Sequence, residues 1–252
     1  MDIVFIGAGN LATNLSHALH EAGHKIVQIY SRTEASAKAL ADDFGCPFTN
    51  NEDQIVVGPY IYIICVTDSA LAEVAQKVIK GREDCLFVHT AGSMQMDVLP
   101  SKRRGVFYPM QTFSKARLVN FTDIPVFVEA SENKDADTLL SLAKTISEKV
   151  YELSSADRQY LHLAAVFCCN FANHCYTLSE EILGQHGIPF EVMNSLIDET
   201  AAKVHNISPS QAQTGPAARK DENVIRKHLQ LLDDNPRLQT IYDIMTKSIA
   251  HD

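Results

Sequence analysis

An apolar strand-like run, Asp2-Ile3-Val4-Phe5-Ile6, leads directly into Gly7-Ala8-Gly9-Asn10-Leu11-Ala12 and then into Leu11, Leu15, Ala18, Leu19 and Ala22 at helical spacing. No other feature of the 252-residue chain limits its fold so tightly. A strand has to turn into a helix within about three residues, and glycine is the residue that tolerates such a turn. Gly23 closes the helix and residues 25–30 read as a second strand. The opening therefore spells a parallel β-α-β unit.

The alternation continues. Ser31-Arg32-Thr33-Glu34 has the form of a capping box opening a second helix that stops at Gly45. Tyr60-Ile61-Tyr62-Ile63-Ile64-Cys65-Val66 is continuously apolar, as expected of a parallel strand covered on both faces. Leu71, Val74, Ala75, Val78 and Ile79 mark another amphipathic helix, and residues 85–89, 105–108, 126–129 and 150–153 read as strands, with a helix over 133–147. This predicts an α/β fold, a doubly wound Rossmann-type parallel sheet. From residue 157 onward only helical patterns occur, over 157–184, 189–205, 223–232 and 236–250, and Asn235-Pro236 is a cap followed by proline at the first helical position. The expected organisation is a nucleotide-binding domain over 1–153 and an all-helical domain over 154–252.

In this setting the glycine loop predicts a dinucleotide. Gly7 permits the turn, Gly9 lets the backbone approach a pyrophosphate, and the amides of Ala8, Gly9, Asn10 and Leu11 face it at a helix N-terminus. An acidic residue at the end of the second strand would select NAD, but this chain has Ser31, Arg32 and Thr33 there, which suit the 2′-phosphate of NADP. Two local alternatives stand beside that reading: Ser31 as a helix cap and Arg32 as a solvated surface residue. Val66, Thr67 and Asp68 follow one strand, and Ala91 and Gly92 follow the next, so they are expected to line the same cleft. Asp68 is equally well placed to cap the following helix.

Composition removes other classes. The net charge of −9 comes from scattered acids and offers no basic stripe for nucleic acid and no attraction to an anionic membrane. No apolar run approaches the roughly 20 residues of a membrane span, and the start of the chain lacks the pattern of a signal peptide. A cytoplasmic location follows as the expectation. The six cysteines form no Cys-x-x-Cys pair, and most lie in apolar runs that suggest reduced core residues. His174, His186, His205 and His228 have no metal-ligand spacing, so no metal is assigned.

The helix beginning near residue 157 is apolar from Leu161 to Cys169, which makes its polar residues conspicuous. At about 100° per residue, His162, Val166, Asn170 and Asn173 share a sector of roughly 80°. We read His162 as a proton donor or acceptor for hydride transfer, Asn170 as orienting the substrate, and Asn173 as a further substrate contact. A hydrogen-bonded core histidine, with the asparagines bridging helices or a dimer interface, is the competing account. Arg219, beside Gly215-Pro216, would clamp a carboxylate or phosphate and so implies a small anionic substrate; a structural loop with solvated charges is its alternative.

With these residues in view, the chain resembles the reductases that join an NADP-type Rossmann domain to a helical C-terminal domain, among them pyrroline-5-carboxylate reductase, ketopantoate reductase and the 3-hydroxyacid dehydrogenases. It is similar in particular to a branch described as NADP oxidoreductases with a helical C-terminal domain of unknown function. The resemblance spans nearly the whole chain. Its marks are Gly7 through Ala12, His89-Thr90-Ala91-Gly92-Ser93, Tyr108-Pro109-Met110-Gln111-Thr112-Phe113, His162 with Asn170, and Thr214-Gly215-Pro216-Ala217-Ala218-Arg219-Lys220-Asp221. It implies an NADP cofactor, hydride exchange with a small carbonyl, imine or hydroxyacid, and a homodimer. One departure stands out. The dehydrogenases carry a catalytic lysine one turn before the asparagine, where this chain has Val166. Two other readings therefore stay open: a non-catalytic NADP-binding redox sensor, and a reductase that passes electrons between a deazaflavin and NADP.

Overall fold

The β-α-β opening forms at the places its spacing requires in the computed structural model, in which residues 1–250 are described. Strand β1 (Asp2–Ile6) leads to helix α1 (Asn10–Glu21), β2 (Lys25–Tyr30) and α2 (Glu34–Asp42). A two-residue strand β3 (Phe48–Thr49), too short to leave a sequence pattern, follows. Then come β4 (Ile61–Ile64), α3 (Asp68–Ile79), β5 (Leu86–His89), β6 (Arg103–Pro109), β7 (Val126–Ala130), α4 (Asn133–Lys144) and β8 (Val150–Glu152). All four residues of β4 and of β5 are buried, so neither strand shows an alternating pattern. The strands form one sheet in the order β3-β2-β1-β4-β5-β6-β7-β8.

One junction departs from the expected parallel sheet. Strands β6 and β7 pair antiparallel, with Phe107 opposite Val128 and Tyr108 opposite Phe127. The segment between them contains no helix to carry the chain back for a parallel return. Strand β8 then runs parallel to β7 after α4. Every other neighbouring pair is parallel. The sheet is covered on both faces, one packing Phe5, Leu15, Leu19, Ile63 and Val88 together and the other Val4, Ile6, Tyr62, Phe87 and Leu71.

The chain divides into two compact units, Met1–Cys169 and Asn170–Asp252. Strands end near residue 153, but helix α5 (Ser155–Ala165) stays with the sheet because fully buried Arg158 ties it there. Its guanidinium donates to Glu129 Oε2 of β7 at 2.7 Å, to the Met94 carbonyl at 2.5 Å and to Ser155 Oγ at 3.0 Å. The single helix expected over 157–184 is interrupted by a π-helical segment, Val166–Phe171. Its i→i+5 bonding breaks the 100° spacing behind the proposed polar stripe. Nor is this run buried: Leu163 and Phe167 are 54% and 63% exposed.

The second unit comprises α6 (Ala172–Gln185), α7 (Asn194–Lys203), the single turn α8 (Pro209–Ala212), α9 (Glu222–Leu231) and α10 (Pro236–Ala250). The Asn235 side chain caps α10 by accepting from Leu238 N at 3.2 Å, with Pro236 at the first position as anticipated. Glu181 of α6 accepts from Asn235 Nδ2 at 3.1 Å and Arg237 at 2.5 Å, and His228 of α9 bonds Tyr242 of α10 at 2.8 Å. Among the described residues of this unit only three apolar ones, Leu178, Ala217 and Leu238, are buried. Cys168, Cys169 and Cys175 are exposed, contrary to the expectation of core cysteines, whereas Cys65 is buried. No helix among the described residues is long and apolar enough to cross a membrane.

Candidate active site

The glycine loop shows why its residues are small. Gly7 has φ +110°, and a Cβ there would lie 2.3 Å from the Cys65 carbonyl oxygen at the end of β4. Its amide donates to the Tyr30 carbonyl at 2.7 Å, so the turn is wedged between two neighbouring strands. Gly9 is the N-cap residue of α1, and a Cβ added there meets nothing within 4 Å. No side chain caps α1. Its first-turn amides, belonging to Asn10, Leu11 and Ala12, thus open onto free space in the manner of an anion site. Ala8 is buried, Leu11 half-buried and Asn10 exposed. A pyrophosphate fits this cradle.

At the end of β2 the capping box does not form. The N-cap residue of α2 is Thr33, whose hydroxyl bonds Ser36 Oγ at 2.8 Å rather than a backbone amide. The helix starts at Glu34, too late for Ser31 to cap it. Arg32 is exposed, and among the described residues neither the Ser31 hydroxyl nor the Arg32 guanidinium has a protein hydrogen-bond or ion-pair partner. This trio fits a 2′-phosphate.

The ends of β4, β5 and β6 converge on a tighter cluster. Val66 is half-buried, exposed Thr67 is the N-cap residue of α3 without a side-chain capping bond, and Asp68 is the first residue of that helix. The Asp68 carboxylate does not act as the cap; it accepts a short hydrogen bond from the Ser93 hydroxyl. On β5, His89 is fully buried, and its Nδ1 accepts from the Ala91 amide at 3.1 Å. That leaves the proton on Nε2, which has no partner among the described residues. Burial, reinforced by the Arg158 charge, pushes the His89 pKa down to about 4.

Gly92 has a different reason to be glycine. A Cβ there would fall 2.5 Å from His162 Nδ1 and 2.9 Å from Tyr108 Cζ. Two side chains from α5 and β6 fill the space that a side chain of residue 92 would occupy. They bond each other, Tyr108 Oη to His162 Nδ1 at 3.2 Å, with the rings edge to face. His162 is half-buried and therefore not a core histidine. Arg158, one helical turn before it, fixes the face that α5 turns to the sheet.

The remaining sequence-predicted residues lie in the second unit. Asn170, within the π-helical segment, Asn173 on α6 and Arg219 in the turn before α9 are all exposed. Asp221, next to that turn, caps α9 through Val224 N at 3.2 Å. Among the described residues no cluster of histidine, cysteine and carboxylate side chains could hold a metal. Sequence reasoning missed the role of Arg158 and the pairing of Tyr108 with His162. A lone cation at the head of an apolar helix is the available signal for the first; Tyr108 opens one of the segments that carry the resemblance, but nothing local points to a partner 54 residues away.

Comparison with known proteins assigns two segments of the chain to two families. Residues 124–249 match the family described as a domain of unknown function (DUF2520), and residues 2–91 match the family described as NADP oxidoreductase, coenzyme F420-dependent. A crystal structure from Bacteroides fragilis, provisionally described as an NADP oxidoreductase, is 52% identical, with a TM-score of 0.92 over 100% of this chain and 98% of that one. A Thermotoga maritima protein is 23% identical, with a TM-score of 0.82 over 99% of this chain and 100% of that one. A pyrroline-5-carboxylate reductase from Coxiella burnetii shares the fold at 16% identity, with a TM-score of 0.60 and 98% of each chain covered. No curated protein matches the chain.

Proposed function

The chain belongs to the family that carries the DUF2520 domain behind an NADP-oxidoreductase-type N-terminal domain, and from this we propose that it is an NADP-dependent oxidoreductase acting on a small carbonyl, imine or hydroxyacid. The observation that carries the reading is the uncapped start of α1, open beyond Gly9, together with the unengaged Ser31 and Arg32 at the end of β2. Helix-terminal amides bind the pyrophosphate, and the guanidinium binds the 2′-phosphate. Bound NADPH supplies the hydride. His162 of α5, which meets Gly92 and Tyr108 at the ends of β5 and β6, moves the accompanying proton. Titration calorimetry tests the reading. NADPH is expected to bind at least about tenfold more tightly than NADH, and Arg32→Ala to remove most of that difference. Absence of heat with either nucleotide would remove the proposal.

The match of residues 2–91 to F420-dependent enzymes supports a second reading, in which a reduced deazaflavin is the electron donor to NADP. NADP reduction by reduced F420, at a rate exceeding that with any small carbonyl, would establish it.

We further propose that two copies associate through the helical unit. Leu196 and Leu231 are 61% and 82% exposed, while among the described residues of that unit only three apolar ones are buried. Helices α6, α7, α9 and α10 thus have too little buried surface to be stable by themselves. A second copy presents the same apolar surface and so can cover it isologously. Sedimentation equilibrium giving a monomer at micromolar concentration would contradict this.

A further inference from the structure

We propose that Tyr108 is the group that passes a proton to the substrate and that His162 recharges it. The inference rests on the oxidoreductase reading above and names its proton donor.

Geometry sets the order of the relay. Tyr108 Oη and His162 Nδ1 are 3.2 Å apart, and both rings pack where residue 92 has no side chain. Tyr108 is buried at the end of β6, where parallel strands present their ligands, whereas His162 is half-buried on α5. His162 Nε2 has no protein partner among the described residues. The path therefore runs from solvent through the imidazole to the phenol.

The charged groups facing the phenol are Arg158 of α5 and Asp68 of α3, with His162 as its hydrogen-bond partner. Burial raises the phenol above the ordinary tyrosine range, Arg158 offsets part of this, and Asp68 adds to it. A phenol so placed is a weak acid. It is still far more acidic than an alcohol, so it can protonate an alkoxide as that forms.

The step balances. With a carbonyl member of the proposed substrate class, the carbon would gain the hydride that NADPH supplies, leaving NADP⁺, and the π pair moves to oxygen. That oxygen takes the proton from Tyr108 Oη. The phenolate takes the Nδ1 proton of protonated His162, which is left neutral with its proton on Nε2. Solvent returns one proton to the imidazole. Alcohol oxidation is the reverse.

The test uses purified full-length protein, NADPH, and a panel of 2-oxoacids, simple aldehydes and ketones, and cyclic imines, followed by loss of NADPH absorbance. At least one member should be turned over. Tyr108→Phe should lower kcat about 100-fold or more while KM and NADPH affinity change less than about threefold. His162→Gln should lose less and recover partly with added imidazole. Gly92→Ala, whose methyl group would strike His162 Nδ1, should lower kcat with both functional groups still present. Without any substrate, the ¹⁵N resonance of His162 Nδ1 should move in Tyr108→Phe, which reports the hydrogen bond itself. Unchanged turnover in Tyr108→Phe or an unmoved Nδ1 resonance overturns the inference and leaves the oxidoreductase reading intact. Failure to bind NADPH overturns both. Binding without turnover of any member overturns the assignment of Tyr108 as a proton donor.

Discussion

The sheet unit and the helical unit are both rich in apolar residues, but they use them differently. In the first, β4 and β5 are buried along their whole length and a second layer of side chains covers each face. In the second, the helices are tied by polar contacts such as Glu181 with Asn235 and Arg237, while large apolar side chains such as Leu231 face outward. At about 25 cal/mol per Å², those exposed side chains hold free energy that a single copy does not recover. The contrast separates two kinds of information. Amphipathic spacing identifies a helix, but it does not say which surface covers the apolar face.

The contrast predicts that single changes inside the sheet unit damage folding, while changes on the helical unit damage assembly. The largest effect is expected at Arg158, the fully buried cation that holds Glu129. Arg158→Met should cost about 3–5 kcal/mol in urea denaturation, because the Glu129 carboxylate is left without its partner. Adding Glu129→Gln should recover a large part of that loss. If the single variant is as stable as the parent, the buried pair does not anchor α5.

His89 comes next. Its folded pKa of about 4 lies below the ordinary 6.5, so the unfolded chain binds more protons between those values. The stabilisation is therefore complete above about pH 6.5 and is lost as the pH falls towards 4, amounting to about 3 kcal/mol. Denaturation across that window should show the slope in the parent and a flatter one in His89→Gln. On the helical unit, Leu196→Glu should leave the fold intact while weakening self-association by about tenfold or more, read by sedimentation. An unfolded variant would place Leu196 in a core and erase the contrast. The smallest effect is expected at the α10 cap: Asn235→Ala should cost about 1 kcal/mol, measured by thermal unfolding.

What was legible in the sequence follows the range of the forces involved. Helix α1, the Gly7 turn and the buried strand β4 come from local rules, and the structure places them where spacing and glycine demand. Local rules also misled at Ser31, where the pattern of a capping box was present but the helix began at Glu34. The reversal at β7 and the short β3 depend on strand pairing across the sheet, which leaves little local pattern. The Tyr108–His162 pair spans 54 residues of chain, and the burial of Arg158 depends on Glu129 and Met94. No periodicity reports such meetings.

The reversal between β6 and β7 governs where α5 begins. Had the last two strands run in the common direction, the chain would have left the sheet at its ligand edge and the next helix would have led away from it. Instead β8 delivers the chain lower on the sheet, where Ser155 meets Met96 and Glu129. The seven-residue rise from Ser155 to His162, about 10 Å of helix, then carries the imidazole back up to Tyr108. A change of strand direction thus works as a ruler, setting the height at which a side chain arrives.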